Sequence, residues 1–364
     1  MASDTKNITI NGEVYTFQRA LTGRGQPGMA GFYLKDGVSY LIKEDDAATC
    51  FAESLAIIHN PLRSKMNDPI IQAQVAQFDK DGTGTLVPIS IQRAFIPAEG
   101  ESFAPFDQVI LGRKRDPKTL ISEESSHDEE VQKTIGNLSI EVKTQLAEAI
   151  YISQLNGDES LHTGQFVTSQ SKNTGAISKI QRIDFGALGR FGLSRTTFSP
   201  LETSEQYKSS GQYGKDYVSF LVKDDHVKKV LFELWSKTDP AVIVQQVQER
   251  FDTQLAGITD PTLKEKALSG LFDTLTKSCK PAPSKKTNLD ELTTQVREIL
   301  SQSTEARCLG MVAAANKLSP PLQDKTNYYK NQLHIIEQPG IEMKEINTSN
   351  RNSSEDKENS RPKI

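Results

Sequence analysis

Two aspartates in this sequence stand where carboxylates could handle a metal and a phosphate. Gly157-Asp158 follows a stretch with helical spacing, and Ile183-Asp184-Phe185-Gly186 follows strand-like Ile177 to Ile183, 184 − 158 = 26 residues further on. A carboxylate just beyond a helix can receive or orient an acceptor hydroxyl. One at the end of a hairpin can hold Mg²⁺ against nucleotide phosphates. The pair therefore reads as the acidic part of a phosphoryl-transfer site, with Asp158 and Asp184 as catalytic carboxylates and Asp184 also as metal ligand.

A phosphate also needs cations and amide donors. Gly23-Arg24-Gly25-Gln26-Pro27-Gly28 has the GxGxxG form, which is weak alone because glycines collect in turns. It leads into a strand, a tight turn and a second strand, whereas a dinucleotide-binding loop opens a helix. That second strand ends in Tyr40-Leu41-Ile42-Lys43, placing a lysine where it can reach phosphates, 184 − 43 = 141 residues before Asp184. Lysines at strand ends are usually solvated charges. The following helix adds Glu53, whose neighbours Cys50 and Ile57 mark an apolar face, so it can turn inward and orient Lys43. An exposed helical glutamate is the plain alternative. Gly23, Gly25, Gly28, Lys43 and Glu53 form the expected ATP-binding set, although Pro27 supplies no amide donor.

Four further residues complete the candidate site. A second metal ligand is expected five positions after Asp158, but Thr163 stands there, and Gln165 is the nearest amide that could take the role. His162 lies in the same loop, where it could contact a phosphate or simply hydrogen-bond. Arg190 and Arg195 follow Asp184 among glycines and hydroxyl residues; their planar guanidinium groups suit a phosphate-bearing acceptor, and two solvated arginines are the plain reading. The order of these elements predicts an α+β, bilobal kinase-like fold with Mg²⁺-ATP as cofactor.

The run Asn156-Gly-Asp-Glu-Ser-Leu-His-Thr-Gly-Gln-Phe-Val167, followed by Arg182-Ile-Asp-Phe-Gly-Ala187, resembles the kinase-like domains of Legionella type IV (Dot/Icm) effectors, some of which phosphorylate phosphoinositides. It is similar, more distantly, to eukaryotic phosphoinositide kinases. The resemblance spans about Gly23 to Leu221 and is specific only around the two carboxylates. It implies a phosphoinositide acceptor at a membrane surface, secretion into a host cell, and a host protein as a further partner. The polar, hydroxyl-rich stretch Ser353 to Ser360 is similar to the C-terminal translocation signals of such effectors.

The elements that must position these residues follow from periodicity and turn chemistry. Ile8 to Phe17 alternates across Asn11-Gly12, and Gly31 to Lys35 pairs with Val38 to Lys43 across Asp36-Gly37, so two hairpins are expected. Asp46 caps a helix predicted over Ala47 to Ile58, and Leu86 to Ile96 reads as another strand. Arg113 to Gln132 is charged and reads as a solvated insertion. Helices are predicted over Ser139 to Leu155, Val218 to Trp235, Ala241 to Leu255, Pro261 to Thr276 and Leu289 to Leu300. This divides the chain into a β-rich nucleotide-binding lobe over 1–96, a catalytic and helical lobe over 97–340, and a disordered polar tail over 341–364.

The chain of 364 residues is 36% hydrophobic and 25% charged, ordinary for a globular protein that needs no cross-links. No stretch approaches the roughly 20 apolar residues of a membrane span. The N-terminus lacks the basic and apolar segments of a cleavable signal. A net charge of −4 offers no general attraction to nucleic acid, so none is expected as partner. Cys50, Cys279 and Cys308 are widely spaced, which predicts neither disulfides nor a zinc site. Three readings stay open: the phosphoinositide phosphotransferase that the resemblance implies, a protein kinase or nucleotide-transferring enzyme on the same fold, and a catalytically silent scaffold binding a host protein.

Overall fold

The computed structural model describes residues 7–20, 30–57, 61, 73–79, 83–111, 133–158, 165–183, 186, 224–276 and 283–316. Strands β1 (Ile8–Ile10) and β2 (Glu13–Ala20) are joined by Asn11 and Gly12, both at positive φ (52° and 79°). β3 (Ala30–Lys35) and β4 (Val38–Glu44) are joined by Asp36 and Gly37, again at positive φ (50° and 76°). Such turns match the right-handed twist of paired strands, which is why these dipeptides set both hairpin registers. β5 (Ala73–Asp79) and β6 (Leu86–Arg93) complete an antiparallel six-stranded sheet in the order β1-β2-β3-β4-β6-β5. A second sheet, β7-β8-β9, joins Glu101–Pro105, Phe166–Ser171 and Ile177–Arg182.

Helix α1 (Ala47–Ser54) starts where Asp46 accepts from the Thr49 amide at 2.9 Å. It stops earlier than the expected Ile58. The Ile57 amide donates to Asn156 Oδ1 at 2.7 Å and the Ile57 carbonyl accepts from Asn156 Nδ2 at 2.9 Å, so a distant side chain takes over bonds a longer helix would have made. α2 (Phe106–Leu111) is short. α3 (Ile140–Leu155) is capped by Ser139 and nearly all buried. α4 (Asp225–Ser236), α5 (Pro240–Ala256) and α6 (Pro261–Thr276) each begin after an aspartate whose carboxylate accepts backbone amides. α7 (Leu289–Asn316) runs well past the expected end at Leu300. Its extra turns carry polar Ser303, Thr304 and Arg307, yet all three are buried with Cys308 and Met311, so packing sustains what periodicity does not announce.

A small apolar cluster, including Ile10, Tyr33, Ile42, Ile89 and Ile91, covers one face of the six-stranded sheet. The main core runs without a break from α1 and Val75 through β8 and β9 to α7. Gly270 of α6 lets Ala48 of α1 approach so closely that a side chain at 270 would collide with it. The architecture is therefore α+β as expected. The six-stranded sheet keeps its own small cluster on one face, while α1, within the first 96 residues, buries its apolar side in the main core with the C-terminal helices. Trp235, fully buried, donates to Gln154 Oε1 at 3.0 Å. The insertion expected over Arg113 to Gln132 and the tail from Ile341 lie outside the described residues, as does the segment from Val218 to Lys223.

Candidate functional site

Lys43 lies near the end of β4, directly opposite Ala30 on one side and Ser90 on the other. Alternation along β4 puts Ile42 into the small apolar cluster and Lys43 on the opposite face, beneath which α1 packs. From α1, Glu53 Oε1 meets Lys43 Nζ at 2.6 Å. The Glu53 side chain is 3% exposed and that of Lys43 12%, so the pair is shielded from solvent yet the ammonium keeps an outlet. A lysine oriented in this way by a glutamate can direct its ammonium at phosphate oxygens. Ala30 and Ala20 flank the connection that carries Gly23, Gly25 and Gly28, and Ala20 sits opposite Gly31. That connection therefore leaves and re-enters the sheet at the Lys43 end, although its glycines lie outside the described residues.

Ser90, across from Lys43 on the same face, is fully buried, and its hydroxyl finds no hydrogen-bond partner among the described residues. An orphaned hydroxyl beside a buried ion pair offers a donor to a ligand or a water. Nothing in its sequence context marks it, since a serine in an apolar strand reads as a sheet residue.

Asp158 follows α3, after Gly157 at φ +60°. A side chain at 157 would come within 2.9 Å of Arg307 Nη1, so glycine is needed here both for its backbone and for space. Arg307 is buried in α7, donating to the Leu155 carbonyl at 3.1 Å and to Thr304 at 2.9 Å, with Ser303 also bonded. Burial pushes its pKa down to about 10. Its charge sits against the negative end of α3, where helix carbonyls favour a cation.

The Asp158 carboxylate is itself fully buried and hydrogen-bonded to Arg182 Nη2. Arg182, at the end of β9, also donates to Ser153 Oγ at 3.1 Å and to Gln165 Oε1 at 3.2 Å. Gln165, expected as a metal ligand, thus presents its amide oxygen to a guanidinium, which takes one of its two lone pairs and sets a cation beside the position a metal would occupy. Arg182 stands two residues before Asp184, so its bond to Asp158 draws the end of β9 and the end of α3 together. Asn156 ties the same end of α3 to Ile57, four residues after Glu53.

The structure thus brings Lys43 to Glu53, and Asp158 to Gln165 through Arg182. Asp184, His162, Arg190 and Arg195 lie outside the described residues. Among the described residues no group of three His, Cys, Asp or Glu side chains is gathered to hold a metal. Four residues organising the site were not expected from sequence. Arg182 and Asn156 enter the sequence reading only as parts of longer runs, and Arg307 and Ser90 carry no individual reading there. For the arginines the available signal was position, each within or against an apolar helical or strand run.

Cys50 and Cys308 are free thiols, both buried. Burial pushes the Cys308 thiol up to about 12 and that of Cys50 higher still, so neither is a reactive thiolate. Among the described residues no helix is long and apolar enough to cross a membrane.

The sequence matches no protein-family model and no curated protein. Among solved structures, the crystal structure of a Helicobacter pylori proinflammatory kinase, CtkA, aligns with 80% of this chain and 98% of its own, at 14% identity and a TM-score of 0.44.

Proposed function

We propose that this chain is an ATP-dependent phosphotransferase of the kinase-like type. The observation that carries the reading is the shielded Lys43–Glu53 ion pair between β4 and α1, at the sheet end where the glycine-rich connection joins β2 to β3. A kinase requires this combination: a glycine-rich loop over the phosphates, a lysine on the next strand, and a glutamate from the following helix to orient it. In this reading Lys43 and the glycine loop bind Mg²⁺-ATP, Asp184 holds the metal with Gln165 as a candidate second ligand, and Asp158 orients the attacking hydroxyl. Catalysis is then positioning and charge neutralisation.

The acceptor proposed is a phosphoinositide headgroup, on the resemblance of the segment from Asn156 to Ala187 and on Arg190 and Arg195, with His162 as a further contact. The same resemblance supports secretion into a host cell by a type IV system and action at host membranes. One observation favours a second reading, a catalytically silent scaffold: the Asp158 carboxylate is buried against Arg182 rather than open to an acceptor.

Incubation with Mg²⁺ and γ-labelled ATP, against a panel of phosphoinositides and proteins, separates these readings. Labelled lipid supports the first, and labelled protein replaces its acceptor. ATP binding without any product, in parent and Asp158→Asn alike, would leave only the scaffold. If lipid is labelled, replacing Arg190 and Arg195 with Gln should raise the KM for lipid and spare slow ATP hydrolysis.

A further inference from the structure

The face of the six-stranded sheet opposite Lys43 carries a second feature. Tyr40 and Arg93 are cross-strand partners on β4 and β6, and strand alternation sets them on the side away from Lys43 and Glu53. Here the sheet, the linker that follows β6, and β9 of the second sheet border a half-open cavity of about 840 Å³. That volume lies within the roughly 300–1,000 Å³ of small-molecule sites.

Its charge is one-sided. Three cations line it, Lys35 from β3, Arg93 from β6 and Lys179 from β9, against the single carboxylate of Glu13. Glu13 and Lys35 pair with one another, so the excess positive charge is that of Arg93 and Lys179, the latter with Glu101 near it. The chain as a whole carries −4, so this is a local reversal of sign, built from three separate strands. Arg93 is solvent-exposed and brings a planar fork of donors to the lining, and Gln181 of β9 adds an amide. The apolar part of the wall is aromatic: Tyr40 and Phe95 are partly buried, and Lys179 Nζ sits 5.7 Å over the Phe95 ring.

We propose that this cavity is a binding site for a small organic phosphate, separate from the nucleotide site. A phosphate group offers several acceptor oxygens, which Arg93 and Lys179 can share with Gln181, while Tyr40 and Phe95 provide ring surfaces for its organic part. A ligand there touches both sheets across the linker and holds them in one relative position. This inference does not rest on the proposed phosphotransfer.

Phenyl phosphate is the probe, titrated calorimetrically into the full chain. Saturable binding at millimolar affinity or better is expected, retained in the variant Lys43→Met/Glu53→Gln. In Arg93→Gln/Lys179→Gln binding should weaken by about tenfold or more with the melting temperature unchanged. Both substituted side chains are on the surface of a cavity, so folding should survive. Absence of saturable binding to the parent would overturn the proposal. So would loss of binding in the Lys43 double variant, unchanged affinity in the Arg93 double variant, or affinity no better than that for inorganic phosphate.

Discussion

At the scale of single residues, the Lys43–Glu53 pair joins stability and chemistry in one contact, and the two can be separated. Lys43→Met leaves the Glu53 carboxylate buried without its partner, which should cost about 3 kcal/mol in urea unfolding. Adding Glu53→Gln removes the stranded charge, so the double variant should recover most of that stability. Phosphotransfer should stay lost in both, because no ammonium remains for the phosphates. Recovery of turnover together with stability would reduce the pair to a structural strut. Arg182 makes the same argument from the other side of the site: a fully buried cation is tolerable only because Asp158, Ser153 and Gln165 surround it with acceptors.

At the scale of elements, the ends of helices do the positioning. Asn156 closes α3 while binding both backbone groups of Ile57 just beyond α1. Asn156→Ala should strand those two buried groups and cost about 2 kcal/mol or more, with faster hydrogen exchange at the Ile57 amide than elsewhere near α1. At the start of α4, burial alone would raise the Asp224 pKa, but the Lys143 ammonium at 2.9 Å and the Val227 and His226 amides outweigh it and hold it below 3.8. A carboxylate depressed on folding stabilises fully above its unfolded value, and that contribution is lost as pH falls through the depressed one. Asp224→Asn keeps the capping acceptor but not the charge. The parent's stability advantage over this variant should therefore be constant from pH 7 to about 5 and shrink steadily below 3.8. An advantage unchanged at acid pH would show that the charge contributes nothing.

For the whole molecule, the packing of α1 on β5 and β6 and the hydrogen bonds that reach α1 and β5 from α5 imply that the sheet and the helices unfold together. α5 is part of the reason: Arg250 donates to the Ser54 carbonyl at 2.6 Å and also to that of Ala73, and Gln254 accepts from the Val75 amide at 3.0 Å. A chain ending at Leu300 loses Arg307, Cys308 and Met311 from the core, and should lose about 5 kcal/mol or more, enough to abolish a cooperative transition. A chain ending at Gly340 lacks only a polar segment with too little apolar surface to join a core, and its melting temperature should match the parent's. A large drop in the second truncation would mean that the tail docks.

Local chemistry made much of this legible in advance. Asn-Gly and Asp-Gly at the hairpins, aspartates and serine at helix starts, and strand alternation putting Lys43 opposite Ile42 are preferences that act within a few residues, so the sequence by itself determined both hairpins, most helix starts and the side on which Glu53 could meet Lys43. β5 and β7 carried weaker signals: Ala73–Asp79 alternates with small and amide side chains, and Glu101–Pro105 is short and partly exposed. Each is a strand because a neighbour supplies its hydrogen bonds, β6 in one case and β8 in the other. The early end of α1, the long run of α7, and the burial of Asp158 against Arg182 were likewise settled by partners 24 to 196 residues away. Hydrogen bonds and burial between distant segments exist only once the chain has closed on itself, and that closure decided which polar side chains are solvated and which hold the site in place.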